Sequence, residues 1–125
     1  MAAGALIESE GKFLMVQEQK PKVYGLWNWP AGRVQKDESP EACAVREVAE
    51  ETGLSIELTE KVGDWPSDYF PDGFKTLFRG KVTGGTLSVK KDELLDARWF
   101  SKEEILNLGE KSFRSQWVLE ALLKL

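Results

Sequence analysis

Apolar and polar positions change over in short runs along most of the chain, a pattern that predicts strands more often than helices. Ala5-Leu6-Ile7 and Phe13-Leu14-Met15-Val16 flank Ser9-Glu10-Gly11-Lys12, which reads as a β-hairpin with Gly11 at positive φ. Residues 20–32, rich in Pro, Gly and Trp, read as a loop. Ser39-Pro40-Glu41 is a helix start: a capping Ser, Pro at the first helical position and an acid beside the helix N-terminus. That helix is expected to run to about Thr52, with Gly53 as its stop. Residues 54–62 and 75–82 read as longer strands, and 87–89 and 97–100 as shorter ones. Ser101-Lys-Glu-Glu104 is a capping box opening a short helix. Residues 113–125 read as a last amphipathic helix with Phe113, Trp117, Leu119, Leu122 and Leu123 as its apolar contacts. Strands interrupted by a helix predict an α/β sandwich, a mixed sheet flanked by helices.

The length of 125 residues suits one domain, residues 1–125. No apolar run reaches the roughly 18 residues a membrane helix needs, and the N-terminal stretch lacks the basic region of a signal peptide. Cys43 is the single cysteine, so no internal disulfide forms, and a cytoplasmic setting is expected. There is no histidine, so any metal must be held by oxygen, which favours Mg²⁺, Mn²⁺ or Ca²⁺ over Zn²⁺. The net charge of −4 argues against gripping a long nucleic acid.

The chemistry concentrates between residues 32 and 54. At 100° per residue Glu47, Glu50 and Glu51 share one sector of the helix, with Ala42, Val45, Val48 and Ala49 expected on the opposite, core-facing side. Like charges at i, i+3 and i+4 repel by roughly 0.2–0.5 kcal/mol per pair. Glu50 and Glu51 also occupy the last turn, where the helix dipole favours cations. A divalent ion would turn both penalties into ligation, whereas an ordinary solvated face with an Arg46–Glu50 pair is the plainer reading of these residues alone.

The full pattern is G-x5-E-x7-R-E-U-x-E-E-x-G-U, with U a bulky aliphatic residue, and every fixed position is met. The segment from Gly32 to Leu54 resembles the signature box of the Nudix hydrolases, and Trp27-Asn-Trp-Pro-Ala-Gly32 resembles the family's approach to it. The resemblance implies a Nudix-type α/β/α sandwich that uses a divalent metal, Mg²⁺ with Mn²⁺ as a substitute, to hydrolyse a diphosphate linkage. It implies Glu47, Glu50 and Glu51 as metal ligands, with a main-chain carbonyl of Ala31 or Gly32 added. Glu38 and Arg46 would pair to brace the loop, Gly53 would end the helix, and Val48 and Leu54 would pack. Members differ in their general base; Glu93, six residues before Trp99, resembles the late acid of some relatives, with Asp92 as the fallback.

Trp27, Trp29, Trp65, Tyr69, Phe70 and Phe74 are candidates to stack on a ring, core packing being the alternative for each. Arg33 is placed to touch phosphate. Lys75, Arg79 and Lys81 alternate onto one strand face, where they meet either phosphate or solvent. Cys43 reads as a space-filling residue with no nucleophilic role. The expected substrate is a small nucleotide-like diphosphate or triphosphate, or a thiamine-type pyrophosphate. A dinucleoside polyphosphate or capped RNA, then ADP-ribose, are the alternatives, and a regulatory nucleotide-binding module is the non-enzymatic one. The expected assembly is a monomer or homodimer, with no membrane partner.

Overall fold

The structure, a computed structural model, describes residues 1–67 and 71–125. Strands β1 (Ala2–Ser9) and β2 (Lys12–Glu18) form the expected hairpin. Its two-residue turn places Glu10 at φ 51° and Gly11 at φ 77°, the positive pair that matches the strand twist. The following loop contains two short strands the sequence pattern did not predict, β3 (Trp27–Asn28) and β4 (Ala31–Arg33). Helix α1 (Pro40–Thr52) begins where Ser39 accepts a hydrogen bond from the Ala42 N–H and ends at Gly53, φ 75°. Strands β5 (Leu54–Pro66), β6 (Phe74–Gly85) and β7 (Leu94–Ser101) follow, then α2 (Lys102–Leu108) and α3 (Trp117–Leu123).

The sheet order is β3-β2-β1-β6-β5, with β4 also on β1 and β7 on β2. β1 and β6 run parallel and the other pairs antiparallel, giving the mixed sheet. Alternation along the strands sorts the core into two layers. Ala5, Ile7, Leu14 and Val16 pack with Val48 of α1. Leu6, Met15 and Leu77 face the other way, onto Ile105, Trp117, Val118 and Leu122. Helices thus cover both faces, the α/β/α sandwich expected. Among the described residues, no helix is long and apolar enough to cross a membrane.

Several local expectations are corrected. Residues 87–89 are not a strand; the Ser88 N–H instead bonds the Thr52 carbonyl at 2.8 Å, an acceptor α1 cannot use internally. The last helix starts only at Trp117, because the backbone at Phe113 is extended and bridges to Trp27. Leu123 is 66 % exposed and contributes nothing to the core.

Candidate active site

The buried stripe of α1 is rotated from the one expected. Ala42 and Ala49 are exposed, whereas Cys43, Ala44, Val48, Glu51 and Thr52 are buried. The acids therefore do not face away from the core. Glu47 and Glu51 lie on the face packed against the protein, and only Glu50 points to solvent. Glu51 is 5 % exposed, and its Oε2 has no hydrogen-bond partner among the described residues. Burial, then the charges of Glu47, Glu18 and Glu93, push its pKa well above the usual range, opposed by a hydrogen bond from the Ala31 backbone. Burial also raises Glu47, with Glu50 and Glu93 adding to the rise and Arg46 opposing it.

Gly32 explains how Glu47 is seated. A Cβ on Gly32 would fall on the Glu47 carboxylate, so any larger residue at 32 would push that carboxylate from its seat. The Gly32 carbonyl, an expected metal ligand, lies 3.6 Å from Cys43 Sγ. Burial and the neighbouring Glu38 charge push the Cys43 thiol up to about 11, so it stays protonated and inert at neutral pH.

Arg46 ties the box together. Its Nε donates to Glu38 Oε2 at 2.7 Å and its Nη2 to Glu38 Oε1 at 3.0 Å, a fork-on-fork pair. Nη2 also reaches the Arg33 carbonyl at 3.0 Å, and Nη1 bridges Glu47 Oε1 at 2.8 Å and Glu50 Oε2 at 3.2 Å. The Arg46 guanidinium and the Gln35 backbone N–H hold Glu38 down at about 2. Arg33 itself is exposed, at the end of β4.

Glu93 is brought to the acids although it lies 42 positions beyond Glu51 in the chain. The Lys90 N–H bonds the Glu51 carbonyl at 3.2 Å and the Glu93 N–H bonds the Lys90 carbonyl at 3.0 Å, so a turn stacked on the end of α1 presents Glu93. Its side chain is exposed and meets Lys90 Nζ at 3.2 Å. Glu18 is an acid the sequence reading passed over. It shares strand parity with Leu14 and Val16, whose side chains face α1, so an acid in that register was the signal. It is buried, 3.3 Å from Arg114 Nη1, and accepts from Asn28 Nδ2 at 3.4 Å.

The aromatic expectations divide. Trp29 is fully buried and its Nε1 donates to the Trp117 carbonyl at 3.4 Å. Trp27 is 8 % exposed and meets Phe100 edge-on at 4.9 Å. Rings packed on all sides offer no face to a ligand, so the stacking role expected of Trp27 and Trp29 is corrected to core packing. Trp65 is only partly buried and Phe74 is exposed. The expectations at Tyr69 and Phe70 lie outside the described residues. Arg79 pairs with Glu8 at 2.6 Å, Lys81 is exposed, and Lys75 is buried.

The donor set suits a hard divalent cation. It comprises carboxylates and main-chain carbonyls only, and the partnerless Glu51 Oε2 beside a second carboxylate of raised pKa is an arrangement that a cation would stabilise. Among the described residues no three acids already converge on a single point as a closed cage. Glu47 and Glu50 would have to turn from Arg46 to ligate.

Comparison with known proteins agrees with this geometry. A Bacillus subtilis protein named "Putative 8-oxo-dGTP diphosphatase" is 36 % identical over 100 residues, covering 74 % of this chain and 66 % of its own. The NAD-capped RNA hydrolase NudC of Pseudomonas aeruginosa is 31 % identical over 102 residues, 80 % of this chain but 36 % of that protein. The chain thus spans from about a third to just under two thirds of these relatives. The structure of a NUDIX hydrolase from Nitrosomonas europaea superposes with a TM-score of 0.81 at 27 % identity, over 98 % of this chain and 85 % of that one. Members of that family hydrolyse phosphorus-containing anhydrides and generally use a divalent metal. With residues 1–121 matching the NUDIX domain, and every fixed position of its box filled, the chain belongs to the Nudix hydrolase family.

Proposed function

We propose that residues 1–125 act as one catalytic domain, its box at 32–54, that hydrolyses a diphosphate linkage in a small nucleotide-like substrate with Mg²⁺, Mn²⁺ substituting. The observation that carries this is Glu51: a buried carboxylate with a partnerless oxygen, surrounded by the charges of Glu47, Glu18 and Glu93. Such a group destabilises the fold unless a cation meets it. Glu47, Glu50 and Glu51, with the Gly32 carbonyl, would hold the metal. When bound, a divalent ion offsets charge on the phosphate oxygens and lowers the pKa of an attacking water. Glu93, exposed beside Glu47 and Glu51, would act as the general base that accepts a proton from the attacking water. Arg46 and Glu38 hold the loop that carries Arg33 against α1, so that Arg33 meets a phosphate.

Relatives named for 8-oxo-dGTP and for NAD-capped RNA support a nucleotide substrate. The net charge of −4 favours the small compound over the capped RNA. The buried, free Cys43 suits a cytoplasmic setting. The test is a screen of nucleoside di- and triphosphates, dinucleoside polyphosphates, ADP-ribose and thiamine pyrophosphate with Mg²⁺, reading phosphate products. Cleavage of at least one, abolished by EDTA, is expected. No cleavage of any, with tight binding of one, would favour a regulatory nucleotide-binding module.

A further inference from the structure

Mg²⁺ takes six oxygens and usually keeps several waters, any of which a nearby carboxylate can displace. Glu93 is near enough to do so. Its charge acts on both Glu47 and Glu51, and its side chain is exposed and able to turn. Metal and proton compete for the same carboxylate lone pairs, so an acid that ligates the ion is a poor base towards water. The acid assigned as base therefore has to stand beside the ion without joining it. The turn that carries Glu93 shows how this is arranged.

Lys90 joins the metal-binding end of α1 to Glu93 through both its backbone and its side chain. Its N–H bonds the Glu51 carbonyl at 3.2 Å, and its own carbonyl accepts from the N–H groups of Glu93 and Leu94 at 3.0 and 2.9 Å. Val89 and Leu94, on either side of the turn, pack into the layer that holds Val48 of α1, so the turn is fixed to the helix end. Lys90 Nζ then lies 3.2 Å from Glu93 Oε1. Glu93 above all, then the charges of Asp92 and Glu50, push the Lys90 pKa up, which keeps the ammonium charged. Both side chains are exposed, and an exposed ion pair adds little to stability. What distinguishes this pair is its place beside the box acids. The ammonium engages one Glu93 oxygen and leaves the second to accept a proton.

We propose that Lys90 is a positioning residue that holds Glu93 outside the metal's ligand set, so that Glu93 stays available as a base beside the ion. The role of Glu93 as base rests on the diphosphate-hydrolase reading; its exclusion from the ion does not. Without the ammonium, Glu93 would turn onto the ion as a fourth carboxylate. Metal would then bind more tightly, and turnover would fall because the base has become a ligand. Arginine at 90 would preserve the arrangement, since it keeps the charge and donates to carboxylates. Both effects pass through Glu93, so a variant lacking that carboxylate should not show them.

Mn²⁺ is titrated into the whole protein and the free ion is read by EPR, for wild type, Lys90→Met, Lys90→Arg, Glu93→Gln and the double variant Lys90→Met with Glu93→Gln. Lys90→Met is expected to tighten binding by roughly 10- to 100-fold, the range over which the partner of a metal-site group moves affinity. Lys90→Arg should stay close to wild type. In the Glu93→Gln background, Lys90→Met should leave only the roughly two- to fivefold effect of a lost surface charge. An unchanged affinity in Lys90→Met, or the same tightening with and without Glu93, overturns the inference. Should Lys90→Met fold poorly, Lys90→Gln takes its place. With saturating Mg²⁺ and a cleaved nucleotide, Lys90→Met should lower kcat by roughly 10- to 100-fold with KM little changed. Lys90→Arg should recover the rate, and Lys90→Met should cost nothing further in Glu93→Gln. A raised KM at wild-type kcat would mean that the ammonium meets substrate phosphate instead, and would also overturn the inference. Glu93-dependent tightening in a protein that cleaves nothing keeps the exclusion and sinks the hydrolase reading; cleavage without that tightening does the reverse.

Discussion

Glu51→Gln separates the site's cost to folding from its service to chemistry. In the wild type Glu51 is buried beside Glu47, Glu18 and Glu93, which raise its pKa, with one oxygen unpartnered among the described residues. Its folded-state pKa is raised, so the folded protein holds this proton more tightly than the unfolded chain does. The group therefore favours folding most below the ordinary carboxylate value of 4.5, and that advantage is lost as pH rises towards its folded pKa. Glutamine keeps the shape and removes the charge. An uncompensated buried polar or charged group costs about 1–3 kcal/mol or more, so the variant should gain stability of that order in EDTA at pH 7.5. For a domain of this size the gain is a rise in Tm of roughly 3–10 °C. At pH 4.5 the gain should shrink, because wild-type Glu51 is then protonated. Mg²⁺ should reverse the ranking: at about 100 times its Kd a ligand adds about 2.7 kcal/mol, and the variant should lose most of this. Thermal unfolding followed by circular dichroism, with EDTA or Mg²⁺ at both pH values, reads all four cells. A variant less stable than wild type in EDTA at pH 7.5 would refute the reasoning.

Glu93→Gln should lower kcat by roughly 10²–10⁴-fold with little change in Tm, because its side chain is exposed; steady-state kinetics with a folded-state control checks this. Trp29→Ala should cost about 3–5 kcal/mol of stability, since the ring is fully buried, and denaturant unfolding should show it as a global effect. Glu38→Gln removes the fork partner of Arg46. Glu38, held at about 2, contributes stability that is present above its ordinary value of 4.5 and is lost as pH falls towards 2. The variant's acid unfolding curve should therefore be flatter than wild type over that window.

What was legible in the sequence was local. The Glu10-Gly11 turn, the Ser39-Pro40 helix start, the Gly53 stop and the Ser101–Glu104 capping box each depend on residues within a few positions, and each stands in the structure as expected. The box residues were legible because their spacing is fixed within one loop and one helix. What the sequence hid depends on packing at long range. The rotation of α1 follows from which side chains fill the space above β1 and β6, and small residues such as Ala42 and Ala49 carry too weak a signal to orient it. Trp29 and Trp65 are equally plausible as ring platforms until the rest of the chain buries one and leaves the other half open. Lys75 read as one of three alternating cations, yet its neighbours pair or stay exposed while it turns inward onto Trp117. Glu18 sat in the sequence as the polar end of a strand, and only the pairing of β2 with β3 and the approach of Arg114 show it enclosed.

The most direct measurement of the central claim follows one cleaved nucleotide by ³¹P NMR, with the same purified protein passed from Mg²⁺ to EDTA and back to Mg²⁺, beside Glu51→Gln. The account predicts loss of the diphosphate signal with Mg²⁺, arrest in EDTA, recovery on re-addition, and at least a roughly 10²-fold slower reaction in the variant. Continued cleavage in EDTA, or a near-normal rate in a folded, Mg²⁺-saturated Glu51→Gln, would contradict it.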